Sequence, residues 1–195
     1  MQSGNGAKIL RVDLTREEVR EEILDRRITG LFLGGPGLGA KILFDEVPPG
    51  ISPFGPANKL IFMAGPLTGT PVPAGARYGV VFKSPQTGGY GEATAGGKWG
   101  AELRWTGYDG IVLEGCAKSP CFLVIGNDRV EIKDARALWG KDTQQTESEL
   151  RKELGKKFKV ACIGPAGENR VSMAAVINDF GRAAARTGPG AVWKP

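Results

Sequence analysis

Apolar residues in this chain fall mostly into short alternating or continuous runs, with few long stretches at helical spacing. Residues 8–14 alternate and are rich in β-formers, which predicts a strand, and 19–24 reads as its hairpin partner. A short helix is expected over 26–33, a break at Gly34-Gly35-Pro36-Gly37, and a second short helix over 38–44. The Pro- and Gly-rich stretch 48–58 reads as loop. The continuous apolar run 60–63 suits a buried strand and 78–83 another, with a glycine-rich loop at 84–91 between that strand and a helix over 97–105. Strands follow at 110–114 and 121–125. Asn127-Asp128 marks a turn into a strand over 129–133. The strongest helical signal is 143–154, with Asp142 or Thr143 to cap it, Glu147 and Arg151 four apart in the favourable order, and Gly155 to close it. Strands are expected over 159–163 and 172–177. Residues 181–186 read as the start of a helix, interrupted by Thr187-Gly188-Pro189-Gly190.

One internal similarity stands out. The segment from Lys59 to Gly65-Pro66 resembles the one from Lys157 to Gly164-Pro165; each is an apolar run ending at Gly-Pro, with a second strand and an arginine (Arg77, Arg182) beyond it. A duplicated β-rich unit accounts for this, and so does chance at a common strand-to-turn junction. No steady βαβ rhythm is present, and no GxGxxG follows a strand into a helix, so a dinucleotide-binding reading is weak. The fold class expected is α+β: two similar β-rich halves, with mainly antiparallel sheet and a few helices.

Composition narrows the chemistry. Glycine supplies 30 of 195 residues, against an ordinary ~7%, and it clusters, which points to tight turns or backbone that approaches something closely. Histidine is absent, which removes histidine-based triads and metal ligands. Cys116, Cys121 and Cys162 form no CxxC pair; they read as small buried hydrophobes in a reducing compartment. The net charge of +5 reads first as solvated surface and secondly as affinity for an anionic ligand. No aromatic-and-basic motif points to nucleic acid. With no export signal and no long apolar run, a cytoplasmic protein without a membrane partner is expected.

Three places could carry chemistry: Ala74-Gly75-Ala76-Arg77-Tyr78 before a strand, Ala93-Thr94-Ala95-Gly96-Gly97 before a helix, and the stretch from Asn178 through Arg182 to Arg186. Glycine and alanine ahead of a helix leave backbone N–H groups bare, and the helix end adds partial positive charge. Arg182 and Arg186, four apart, would share a helix face and could grip phosphate oxygens, with Arg77 closing from another strand. Each feature alone is more often a turn or a solvated face. Asp179 reads as a cap. Glu92, Glu102, Asp109, Glu114 and Glu168 form no acid–base pair by spacing, and no catalytic or metal-ligating residue is assigned.

At these segments the sequence resembles the N-terminal domain of the tungsten-containing aldehyde:ferredoxin oxidoreductase family. The matching stretches, in order, are Ala64-Gly65-Pro66-Leu67-Thr68-Gly69-Thr70; Ala76-Arg77-Tyr78; Lys83-Ser84-Pro85 with Thr87-Gly88; Gly96-Gly97 with Gly100-Ala101-Glu102-Leu103; Gly107-Tyr108-Asp109; Ile163-Gly164-Pro165-Ala166-Gly167-Glu168-Asn169; and Gly181-Arg182-Ala183-Ala184-Ala185-Arg186. The resemblance implies a single base domain over 1–195, on which a tungsten (or molybdenum) bis-pterin lies, with a magnesium ion bridging the pterin phosphates. It places the helical domains, and the cysteines of a [4Fe-4S] cluster, outside this sequence. Those domains or a second subunit, ferredoxin and a small aldehyde are then the implied partners, and a homodimer is left open. Carried over by motif, Arg77 and Gly96 would contact the pterins, and Arg182, Ala183, Ala185 and Arg186 would form a second pterin–phosphate motif. Thr94 stands where many members have Asn, and Ala185 where Gly is usual. The activity implied is oxidation of aldehydes to carboxylic acids with ferredoxin as acceptor, with this chain inactive in isolation. The alternative is a non-catalytic module that binds cofactor or partners.

Overall fold

The computed structural model describes residues 6–126 and 129–193. In the first half, the hairpin β1 (Lys8–Asp13) and β2 (Glu18–Ile23) is followed by helices α1 (Arg26–Phe32) and α2 (Gly35–Glu46). Then come β3 (Leu60–Ala64), β4 (Tyr78–Lys83) and β5 (Tyr90–Ala95), helix α3 (Trp99–Trp105) and β6 (Gly110–Glu114). The six strands form one sheet in the order β2-β1-β6-β3-β4-β5. Only the β1–β6 pairing within it is parallel.

Both faces of this sheet are covered, and the period-two alternation along its strands shows how. Leu60, Phe62, Tyr78, Val80, Phe82 and Ile111 point to one face and pack against the second half through Val176, Ala184 and Val192. Ile61, Met63, Val81 and Val112 point to the other, against Leu38, Ile42 and Leu43 of α2. That helix lies close because Gly79 has no side chain: a Cβ there would sit 2.5 Å from Pro36 Cγ. Arg11 is buried in the sheet. Its guanidinium takes Glu46 in a bidentate pair at 2.6 Å and Glu22 at 2.6 Å. Burial opposes that charge, but the hydrogen bonds to Glu46 and Glu22 outweigh it and hold Arg11 charged.

The second half repeats the order of hairpin, helix and three-stranded meander: β7 (Cys121–Ile125) with β8 (Val130–Asp134), α4 (Thr143–Leu154), then β9 (Ala161–Cys162), β10 (Val176–Asn178) and β11 (Arg182–Ala184). Short helices α5 (Pro165–Glu168) and α6 (Pro189–Val192) flank the meander's later strands. Here the hairpin and the meander stay separate sheets. A half-open cleft of about 530 Å³ lies where β7 and α4 face the first half, lined by Phe122, Val124, Leu150 and Leu154 on one side and by Phe62, Leu103 and Ile111 on the other.

The α+β class and the mainly antiparallel sheet agree with the sequence reading; β3 runs directly into Gly65-Pro66, and β9 ends one residue before Gly164-Pro165. Helix α4 runs over 143–154 as expected. Its capping box pairs the Asp142 side chain with the Gln145 backbone and the Gln145 side chain with the Asp142 backbone. Several readings are corrected. The strand over 90–95 is not among those expected, and its first two residues, Tyr90 and Gly91, fall in the stretch read as loop. Helix α2 begins at Gly35, within the glycine cluster read as a break, because Pro36 is favourable in a first helical turn. The strands near 161 and 176 are shorter than expected. Residues 181–186 do not start a helix: Arg182–Ala184 pair with β10. Alanine favours helix only weakly, and strand pairing overrides that preference. The expected turn at Asn127-Asp128 lies outside the described residues.

Candidate functional site

Arg77 immediately precedes β4, and β5 runs antiparallel beside that strand, so Gly79 pairs with Thr94 and Tyr78 with Ala95. The Arg77 Nη1 donates to Thr94 Oγ1 at 3.4 Å, and both side chains are exposed. Along β5, Gly91, Ala93 and Ala95 are buried while Tyr90, Glu92 and Thr94 are exposed. Gly96 follows the strand, and a Cβ built there meets nothing within 4 Å. Arg77, Thr94 and Gly96 therefore share one sheet edge.

Strand β11 packs against β5. Ala184 is buried, and Arg182, Ala183, Ala185 and Arg186 are exposed. Beyond Arg186, Thr187 Oγ1 donates to Glu92 O at 3.4 Å, and Ser84 Oγ donates to Thr187 O at 2.8 Å. The arginine-bearing segment is thus sewn beside the β4–β5 edge. No hydrogen bond among the described residues joins Arg182 or Arg186 to Arg77 or Thr94. None of the three arginines is in an ion pair with a described residue.

Two parts of the sequence argument change. Arg182 and Arg186 do not share a helix face, since Arg182 opens a strand and Arg186 lies past its end. The backbone N–H groups ahead of α3 are not bare either. Asp179 Oδ2 accepts from Lys98 N at 2.6 Å and Trp99 N at 3.2 Å, so the helix end already has its anion. Asp179 is a cap, as read, but for a helix some eighty residues earlier in the chain. It approaches so closely that a Cβ at Gly97, whose φ is +93°, would sit 2.2 Å from Asp179 Oδ2.

The supporting residues behind this edge were missed. Tyr78, buried, donates its hydroxyl to Asn178 Oδ1 at 2.9 Å, and burial pushes its phenol up. Asn178 Nδ2 donates to Gly96 O at 3.0 Å and to Asp179 Oδ2 at 2.8 Å. Next to it, Asp179 and Phe180 both take left-handed backbone, with φ of 46° and 58°. For side chains other than glycine this costs about 1–2 kcal/mol each. The Phe180 N–H donates to Glu147 Oε2 at 2.7 Å, and Glu147 is itself buried on α4. The Asn178-Asp179 dipeptide was the one available signal, because Asn and Asp tolerate left-handed turns. Nothing near Glu147 marks its reach of thirty-three positions along the chain.

Four of the five candidate carboxylates are engaged elsewhere. Asp109 pairs with Arg104 and accepts from Lys8 N at 2.8 Å, Glu114 pairs with Lys59, Glu168 accepts from Gly140 N at 3.0 Å, and Glu92 accepts from the Tyr90 hydroxyl at 2.8 Å. Of the three cysteines only Cys162 is buried, and burial pushes its thiol up to about 12; Cys116 and Cys121 are half-buried. Among the described residues no group of three or more His, Cys, Asp or Glu could hold a metal ion, and no helix is long and apolar enough to cross a membrane.

This edge, with three exposed arginines in no ion pair with a described residue and open glycine backbone beside them, belongs to an α+β domain. The comparisons with known proteins say which domain. Residues 9–194 match the family model described as aldehyde ferredoxin oxidoreductase, N-terminal domain, and the chain belongs to that family. It is 48% identical over 190 residues to a tungsten-containing aldehyde ferredoxin oxidoreductase of Pyrococcus furiosus, covering 97% of this chain and 31% of that protein. It is 38% identical over 208 residues to an aliphatic sulfonate oxidoreductase, WOR-like subunit, of the same organism, covering 98% of this chain and 33% of the relative. A solved structure, the active site complex BamBC of benzoyl coenzyme A reductase with 1,5-dienoyl-CoA, superposes with a TM-score of 0.92 at 44% identity, over 95% of this chain and 28% of that one. The chain thus spans about a third of the length of the relatives it matches.

Proposed function

We propose that this chain is the cofactor-holding base of a tungsten- or molybdenum-dependent oxidoreductase that oxidises aldehydes to carboxylic acids with ferredoxin as acceptor. The observation that carries the proposal is the edge itself: Arg77, Arg182 and Arg186 are exposed without a carboxylate partner among the described residues, beside a glycine with open space in front of it. A bis-pterin is a flat, polar ring system with anionic phosphates, and this donor set fits it. Guanidinium groups suit phosphate oxygens, and the open space in front of Gly96 admits a ring edge where a side chain would intrude. When bound, the metal–pterin group supplies the two-electron redox chemistry.

The residues of this chain bind and orient. Arg77 and Gly96 would hold one pterin; Arg182, Ala183, Ala185 and Arg186 would hold the phosphate side of the other. Thr94, a hydroxyl in place of the more usual amide, would contact the cofactor and could help hold an accompanying magnesium ion. No residue here is given a proton-transfer role. The [4Fe-4S] cluster, the aldehyde site and the ferredoxin contact are assigned to polypeptide outside residues 1–195. The relatives' names span aldehydes, a sulfonate and an aromatic acyl thioester, so substrate choice is assigned there as well.

The test is metal and oxidised-pterin content per chain, after production in cells that make the cofactor. Arg182→Ala and Arg186→Ala should each lower both. Unchanged content in both variants overturns the site assignment. Stoichiometric pterin in a chain that oxidises no aldehyde, alone or with the remaining domains supplied, would support the non-catalytic module instead.

A further inference from the structure

We infer that Glu147 is a positioning residue for the cofactor edge: with Arg151 it clasps the Asp179–Phe180 turn, and that turn fixes both the Gly96–Gly97 bend and the start of the strand carrying Arg182. The inference rests on the cofactor reading of those residues.

The turn is held from two sides. From α4, Glu147 Oε2 accepts the Phe180 N–H at 2.7 Å, and the Arg151 guanidinium lies 5.2 Å from the centre of the Phe180 ring. From α3, the Lys98 and Trp99 N–H groups donate to Asp179 Oδ2. Between them, Asn178 reaches Gly96 O. Two consecutive left-handed residues with side chains revert to ordinary backbone unless their surroundings hold them. The clasp is costly in itself. Glu147 Oε1 is buried without a hydrogen-bond partner, with Arg151 Nη1 3.7 Å away, and Arg151 Nε is buried and unpartnered too. A polar pair kept under such conditions, beside Leu150 and Leu154 in an apolar cluster with Val160 and Phe122, is explained by what it holds. Helix α4 contributes nothing to the exposed edge directly. Through this turn it sets the spacing of the two arginine-bearing segments.

The experiment uses the full 195-residue chain from cells that make the cofactor, and reads pterin per folded chain and amide exchange at Lys98, Trp99 and Phe180. Glu147→Leu should lose pterin about tenfold, the lower end of what removing a supporting hydrogen bond costs a bound group, and should speed exchange at Lys98 and Trp99. Glu147→Gln keeps an acceptor for the Phe180 N–H and should retain both. Phe180→Gly, added to Glu147→Leu, should restore pterin, because glycine adopts this φ without strain. A role in general stability alone predicts no such rescue. Wild-type chain carrying pterin, with Glu147→Leu carrying as much, overturns the role of Glu147 and leaves the cofactor reading standing. Failure of Phe180→Gly to restore pterin also overturns it. Wild-type chain without pterin overturns the cofactor reading and this inference with it, whatever the exchange rates show.

Discussion

The two halves use the same order of hairpin, helix and meander and close by different means. In the first, β6 lies between β1 and β3 and joins hairpin and meander into six hydrogen-bonded strands. In the second, no described strand joins β7 to β9, and apolar side chains of β7 and α4 line a half-open cleft against the first half. What backbone ladders do for the first half, side chains do for the second: Glu147 ties α4 to the Phe180 turn within it, and Asn178 and Asp179 reach across to the first half. Strand pairing repeats a cheap, regular bond, whereas isolated polar contacts each depend on one side chain.

The largest test of this contrast is a matched pair of core truncations. Leu60, at the start of a central strand of the six-stranded sheet, is buried and borders only a small surface recess. Leu60→Ala should cost about 4 kcal/mol, the upper range for a buried leucine. Leu150 on α4 already borders the cleft, so Leu150→Ala should cost about 2 kcal/mol, because fewer contacts are there to lose. Denaturant midpoints measure both. Equal losses would mean that the cleft does not loosen the second half.

A smaller effect tests the side-chain contacts. Asp179→Ala removes the cap of α3 and places alanine in left-handed backbone. The two together should cost about 2 kcal/mol. Asp179→Asn keeps an acceptor oxygen and tolerates that backbone, and should cost under about 1 kcal/mol. If both variants match wild type in thermal melting, the turn is not what joins the halves.

The same contrast explains what the sequence reveals. Helix α4 is legible to the residue because its cap, periodicity and closing glycine are all local. Strands β3 and β4 are legible because both of their faces are buried, leaving continuous apolar runs. Strand β5 is not, since Gly91, Ala93 and Ala95 are too small to give its buried face an apolar signature. Strand β11 is read as helix because Ala183-Ala184-Ala185 favours helix locally, and only pairing with β10 decides otherwise. Of the site, Arg77, Thr94, Gly96, Arg182, Ala183, Ala185 and Arg186 are marked by motif. The residues that hold them, Asn178 and Glu147, act over distances along the chain that no local pattern records.

The smallest expected effect separates the halves by sign. Each half has a helix glutamate drawn into a polar contact. Burial opposes the charge of Glu46, but hydrogen bonds and charge from Arg11 and Lys59 win and hold it below its ordinary value of 4.5. Its contribution to stability is therefore present above 4.5 and lost as pH falls through its lowered pKa. Burial pushes Glu147 up instead; the Phe180 N–H, Arg151 and Lys159 pull it down, Asp179 adds to the rise, and the rise prevails. Its contribution is fully present below 4.5 and is lost as pH climbs through its raised pKa. Acidification from neutral pH should first tighten the Phe180 turn, with the proton settling on the unpartnered Oε1, and then, below 4.5, loosen the β1–α2 contact. Amide exchange at Phe180 and around Arg11, corrected for the intrinsic effect of pH, reads the two separately. Glu147→Gln should abolish the first change and leave the second. Loosening of both regions together would show that the halves titrate as one unit and that the contrast between them is not electrostatic.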